Sequence, residues 1–187
     1  MIIMKKGFLP AAALCALLGL SGCVTTGSPN TLGPARSTDT VNADNAIADT
    51  IKMRLNDAQG FSTSHVNVDV FNGYIVLSGQ VPLQGMINRA DEIAHSAGGV
   101  RGVYNGLTVG DNTPTWRRIS DSMITARVNR GIDNSTLSSL SRVHVVTENG
   151  IVFLMGAIQR YEADGLARIA AQVDGVSGVV KAFEYVD

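Results

Sequence analysis

Few residues in this chain are placed to do chemistry. There are two cysteines and three histidines among 187 residues. Cys15 sits inside an uncharged apolar run near the start, and Cys23 follows just after it. His65, His95 and His144 have no metal-ligand spacing, and none stands beside a serine or carboxylate that would make it a general base. Each is expected at the surface: His144 on the solvent side of a strand between Val143 and Val145, His65 just before a strand, and His95 near the end of a helix. Ser138, Ser139 and Ser141 form a turn-rich stretch without the strand-to-helix setting of a nucleophile elbow. Gly98, Gly99 and Gly102 suggest a phosphate loop only until glycines return at 175 and 178, which marks turn geometry instead. The acidic residues are scattered, and a formal net charge of −1 gives no footprint for nucleic acid. No catalytic residue, metal ligand or cofactor is expected.

Cys23 is the one position with assignable chemistry. Lys5 and Lys6 precede Gly7 to Leu20, an uncharged stretch rich in Ala and Leu and too short to span a bilayer as a stable helix. The stretch ends in Leu20-Ser21-Gly22-Cys23, which resembles the lipobox of bacterial lipoproteins. That resemblance implies that residues 1–22 are a signal peptide, that the Cys23 sulfur carries diacylglycerol, and that the new amino terminus is acylated, for example by palmitate. Several acyl chains anchor firmly where one is marginal. The alternative is a plain thiol near an ordinary cleavage site. Val24, where inner-membrane lipoproteins usually carry Asp, implies sorting to the outer membrane on its periplasmic face. Beyond Cys23 the chain has no thiol, so neither a disulfide nor a Cys nucleophile is available. Residues 23–43 are rich in Thr, Ser, Gly, Pro and Asn and read as a lipidated tether, with a root-mean-square reach of roughly 25 Å.

The rest is a duplication. Shifted by 77 residues, Val68 meets Val145, Asn72-Gly73 meets Asn149-Gly150, Leu77 meets Leu154 and Gly79 meets Gly156. After a one-residue loss, Gly99-Val100 and Gly102-Val103 meet Gly175-Val176 and Gly178-Val179. Two units follow, 44–111 and 115–187, each marginal as an isolated core and therefore expected to pack on the other. Ile47, Ile51 and Leu55 form a helix stripe, repeated by Ile124, Val128 and Ile132. Val66, Val68 and Val70 alternate as a strand, and the Asn-Gly pairs are strong hairpin signals. Return strands at 74–79 and 151–156, helices at 83–97 and 161–173, and last strands at 104–109 and 180–186 complete each unit. The predicted class is α+β: helix, strand, strand, helix, strand, with a small three-stranded mixed sheet.

That order, the Asn-Gly hairpin and the Gly-Val-x-Gly-Val turn resemble the BON domain, in both units. Together with the lipobox, the tether and Thr147-Glu148-Asn149-Gly150-Ile151-Val152-Phe153-Leu154-Met155-Gly156, they look like the family of dual-BON outer-membrane lipoproteins. The resemblance implies binding to anionic phospholipid, a part in outer-membrane integrity and no catalysis. In that family the lipid-contacting first helix of the second unit carries Asp-Thr-Trp-Ile-Thr. The aligned run here is Asp121-Ser122-Met123-Ile124-Thr125, so Met123 stands where the family has its inserting Trp. Trp116, two turns earlier, is the candidate to supply an indole at the interface.

The residues give a separate indication. In the second unit's first helix, expected at about 115–131, Trp116, Ile119 and Met123 form an apolar line apart from the core stripe. Arg117, Arg118, Arg127 and Arg130 surround it, against only Asp121. The first unit's helix, about 45–56, shows a single apolar stripe and a polar face with Asp49 and Lys52. An apolar line flanked by Arg suits an anionic bilayer surface. Two other uses stay open: burial against the first unit, or docking of a protein partner such as the outer-membrane protein assembly machinery.

Overall fold

The computed structural model describes residues 36–139 and 143–187. Cys23, the expected signal segment and most of the expected tether lie outside the described residues, as does Ser141.

The first unit runs α1 (Thr38–Asp57), β1 (His65–Phe71), β2 (Tyr74–Val81), α2 (Gln84–His95) and β3 (Gly102–Val109). The second runs α3 (Thr115–Asp133), β4 (His144–Glu148), β5 (Ile151–Ile158), α4 (Arg160–Ala171) and β6 (Gly178–Tyr185). In each unit the hairpin strands pair antiparallel and the last strand pairs parallel to the return strand, so the sheets are ordered β1-β2-β3 and β4-β5-β6. The fold class is α+β, with two three-stranded mixed sheets.

One boundary differs from the sequence reading. The helix begins at Thr38, so the last six positions assigned to the tether, 38–43, are helical. The cause is a capping signal inside a polar run: the Ser37 hydroxyl accepts from the Thr40 N–H at 3.1 Å. Just upstream, the Arg36 guanidinium pairs with the Asp44 carboxylate and lies 4.2 Å over the Phe71 ring.

Each hairpin turns on an Asn-Gly pair with positive φ at both residues, 51° and 76° at Asn72-Gly73 and 51° and 77° at Asn149-Gly150. That is the type I′ geometry matching the twist of the flanking strands. Both turns are clamped by a buried aspartate from the preceding helix. The Asn72 and Gly73 N–H groups donate to Asp44 at 2.7 and 2.9 Å, and the Asn149 and Gly150 N–H groups donate to Asp121 at 2.9 Å each. The two aspartates lie one repeat shift apart. A buried carboxylate is stable only when hydrogen-bonded, and here backbone donors satisfy it.

Three apolar cores result among the described residues. Ile51, Leu55, Ile75, Leu77, Val81 and Ala90 are among those between the first sheet and its helices. Val128, Val152, Leu154, Ile158, Leu166 and Phe183 are among the equivalents in the second unit. The third core lies between the sheets, where Phe71 and Val76 meet Phe153, Met155 and Ala182. Gly106 receives the Phe153 ring, and a Cβ there would sit 2.4 Å from its Cζ. The units therefore pack sheet against sheet, with the helices outside.

The sheets run head to tail. The first unit's turn lies at the far end of the second sheet, where Asn72 Nδ2 donates to Glu184 at 3.0 Å and Arg101 pairs with Glu184 at 2.5 Å. That pairing raises the Arg101 pKa, chiefly through the hydrogen bond to Glu184. At the other end, Gln80 Nε2 donates to Glu148 at 2.8 Å. Thr113, buried in the linker, donates from its N–H and its hydroxyl to the Gln80 side-chain carbonyl at 2.8 and 2.6 Å. Its hydroxyl also lies 2.9 Å from Glu148 and 3.2 Å from Asn149 Oδ1.

Candidate functional site

α3 carries the residues singled out from the sequence. Pro114 precedes it with φ −66°, and Arg118 Nε donates to the Thr113 carbonyl at 3.0 Å, so the helix leaves the linker in a fixed direction. Its inner face buries Asp121, Ile124, Val128 and Ile132. Asp121 is thus no acidic neighbour within the outer face, as its place among the arginines suggested. It points inward to clamp the hairpin.

The outer face keeps Trp116, Ile119 and Met123 exposed, at 63%, 59% and 53%. They do not join the interface between the units, which is built from the sheets. Arg127 and Arg130 are exposed too. At 100° per residue these five positions fall within about 80° of arc, so the apolar half of the stripe continues directly into its basic half. Arg127 reaches the Asp174 carbonyl at 3.4 Å, and the Arg117 guanidinium lies 4.9 Å from the Trp116 ring centroid.

Arg117 lies about 120° from the centre of that stripe, with its guanidinium over the Trp116 ring, and Arg118 departs furthest. It projects roughly 140° from the centre of that stripe, toward the first unit. There it lines a polar cleft of about 240 Å³ with His65, Asn67, Ser122, Thr125 and Glu148. Grouping it with the other arginines by sequence proximity placed it on the wrong side of the helix.

The duplication supplies an internal control. One repeat earlier, Trp116, Ile119 and Met123 correspond to Asp39, Asn42 and Ala46 of α1, all exposed. The first unit forms with no large apolar side chain at these positions, so packing within a unit does not account for them.

The other chemistry-bearing residues are dispersed. His95 and His144 are exposed and lie 3.2 Å from Asp91 and 3.4 Å from Asp69. His65 departs from the expected surface position before a strand: it begins β1, its side chain is 23% exposed, and it lies 4.0 Å from the buried Glu148. Gly99 and Gly175 adopt left-handed backbone, with φ 86° and 94°, and the residues that follow dock on the hairpins through Arg101 N–H to Gly73 and Ser177 N–H to Gly150, both at 2.8 Å. Among the described residues no group of three or more His, Cys, Asp or Glu is placed to hold a metal ion, and no helix is long and apolar enough to cross a membrane.

Sequence reading missed Asp44 and Asp121 as turn clamps, although they share the repeat spacing. It also missed Gln80, Thr113 and Glu148, which meet only once the units pack.

The family model described as BON domain matches residues 43–111 and 120–187. Among characterised relatives, a 21 kDa hemolysin of Actinobacillus pleuropneumoniae is 32% identical over 152 residues, covering 81% of this chain and 78% of that protein. Outer membrane lipoprotein DolP of Haemophilus influenzae is 35% identical over 131 residues, covering 70% and 68%. A solved structure, the C-terminal domain of CdsD from the type III secretion system of Chlamydia trachomatis, aligns over 82% of this chain and 100% of that one. The two are 13% identical, with a TM-score of 0.32.

Proposed function

The chain belongs to the BON domain family, with two copies in tandem, and from that premise we propose that it is a non-catalytic outer-membrane lipoprotein that docks on anionic phospholipid through α3 and supports envelope integrity. The relative that is itself an outer-membrane lipoprotein supports the location, and the lipobox at Leu20–Cys23 supports the anchor. One observation carries the binding role: Trp116, Ile119 and Met123 stand exposed where the first unit has Asp39, Asn42 and Ala46.

The physics of the surface fits that role. Full burial of the three side chains is worth roughly 1.5–3 kcal/mol apiece, and partial insertion correspondingly less. Arg127 and Arg130, continuing the stripe, each add about 1 kcal/mol near an anionic leaflet. A weak contact of this kind suffices beside a lipid anchor, because the anchor raises the effective concentration. Between Cys23 and Arg36 the chain spans at most about 45 Å, which keeps the body against its own leaflet.

The test is vesicle co-sedimentation of a chain beginning at Val24, which keeps both units whole. Phosphatidylglycerol vesicles are expected to bind it and phosphatidylcholine vesicles to bind it weakly. Trp116 is the only tryptophan, so its emission should shift to the blue on binding. Trp116→Glu and Met123→Glu should weaken binding without unfolding, and indifference to both would remove α3 from the interface. Absence of any vesicle binding would move the reading to a scaffold for a protein partner, the outer-membrane protein assembly machinery first.

A further inference from the structure

We propose that the lipid-docking surface spans both units, with Leu83 and Val109 of the first unit entering the same anionic bilayer as Trp116 of the second. This rests on the reading of α3 given above. Leu83 and Val109 are exposed at 66% and 50%. They belong together: Val109 pairs with Val81 at the end of β2, and Leu83 follows Val81 by two residues.

The head-to-tail sandwich brings this pair to the end of the molecule where α3 starts. Gln80, next to Val81, accepts both hydrogen bonds from Thr113, and Trp116 follows Thr113 by three residues. The linker between Val109 and Thr113 is only three residues long. Leu83, Val109 and Trp116 therefore cluster around one knot of buried polar side chains, Gln80, Thr113 and Glu148. Single exposed apolar residues are ordinary, but three brought from two units to one end of the molecule, beside Arg117, suit an anionic surface. The exposed Asp111 in the linker is the one acidic group between them, and its charge opposes docking.

The second unit offers a control. Tyr161 and Val186, exposed at 66% and 57%, lie at the matching end of β5 and β6, each one residue beyond the positions equivalent to Leu83 and Val109. That end lies at the first unit's turn, where Asn72 meets Glu184. The length of β2 alone separates it from the Trp116 end by about 23 Å. The same kind of apolar pair is thus turned away from the proposed bilayer.

The experiment compares charge-introducing pairs in the chain beginning at Val24, using phosphatidylglycerol vesicles. Leu83→Glu with Val109→Glu should weaken binding about fivefold or more, while Tyr161→Glu with Val186→Glu should change it less than about twofold. A second measurement needs no loss of binding. In a Trp116→Phe background, a Leu83→Trp reporter should shift to the blue and be quenched by brominated phosphatidylglycerol, and a Tyr161→Trp reporter should not. If Trp116→Glu weakens binding but the Leu83 and Val109 pair does not, and the reporter at 83 stays unquenched, the composite surface is wrong and α3 binds alone. Equal loss from both pairs overturns it as well, since the effect would then be bulk charge. No binding by the unaltered chain sinks both this proposal and the α3 reading.

Discussion

Asp121→Ala tests whether the second unit's helix and hairpin are joined as described. The Asp121 carboxylate accepts from the Asn149 and Gly150 N–H groups, both at 2.9 Å, and the residue is 5% exposed. Truncation removes the acceptor but leaves both donors in place, and Gly150 is itself buried. Hydrogen bonds to a charged group are worth about 1.5–3 kcal/mol each, so the loss of two should come to roughly 3–6 kcal/mol. A chain of this size has about 5–15 kcal/mol in total. With about 3 °C per kcal/mol, the melting temperature should fall by about 10–18 °C. Asp121→Asn keeps one acceptor oxygen and should fall between the two. The assay is urea unfolding followed by circular dichroism, with a thermal scan as check, and the m-value should stay constant. A drop under about 3 °C for the alanine variant, with the same cooperativity, would refute the clamp as a main joint of the unit.

Two further outcomes follow from the interface between the sheets. Gly106→Val places a Cβ 2.4 Å from Phe153 Cζ and should destabilise by about 1–3 kcal/mol; pairing it with Phe153→Leu should recover part of that loss, read as coupling in a double-mutant cycle. Tyr104, packed beside the same core, has its pKa raised, first by burial and then by Tyr185 and Tyr74. A raised folded-state value means that its contribution is fully present below the ordinary tyrosine range near 10 and is lost as pH rises through the folded value. Phenolate absorbance of the wild type minus Tyr104→Phe should therefore titrate above an ordinary tyrosine, and a difference curve at or below the ordinary range would contradict the burial.

Much of the architecture was legible because the signals are local. Valine alternation in β1 specifies which face is buried, and Asn-Gly specifies the turn by its tolerance of positive φ. The 77-residue shift then doubles each signal. What was not legible depends on contacts distant in the chain. Nothing near Glu148 announces that it will accept from Gln80 and Asn67, 68 and 81 residues away. Arg118 shows the limit on a smaller scale: composition groups it with its neighbours, but its angle around the helix turns it toward the first unit. The tether boundary failed for a different reason. Thr38 to Ala43 has no apolar period, and its helicity comes from the Ser37 cap and from joining a helix whose later turns are packed.

The arrangement also explains how one copy of a duplicated fold can carry an exposed apolar line on its first helix that the other copy lacks. A single three-stranded sheet covered by helices on one side leaves its second face bare, and at this size the core is marginal. Back-to-back packing covers both bare faces at once through Phe71, Val76, Phe153 and Met155. The outer faces of all four helices are then free of any duty to the fold. In α1 that freedom is filled with Asp39, Asn42 and Ala46, and in α3 with Trp116, Ile119 and Met123. The apolar line on α3 therefore contributes little to folding and stays exposed. The Thr113 knot holds it at a set angle to the first unit, so that under the proposed reading a lipid anchor would restrain one body with one docking end instead of two independently moving domains.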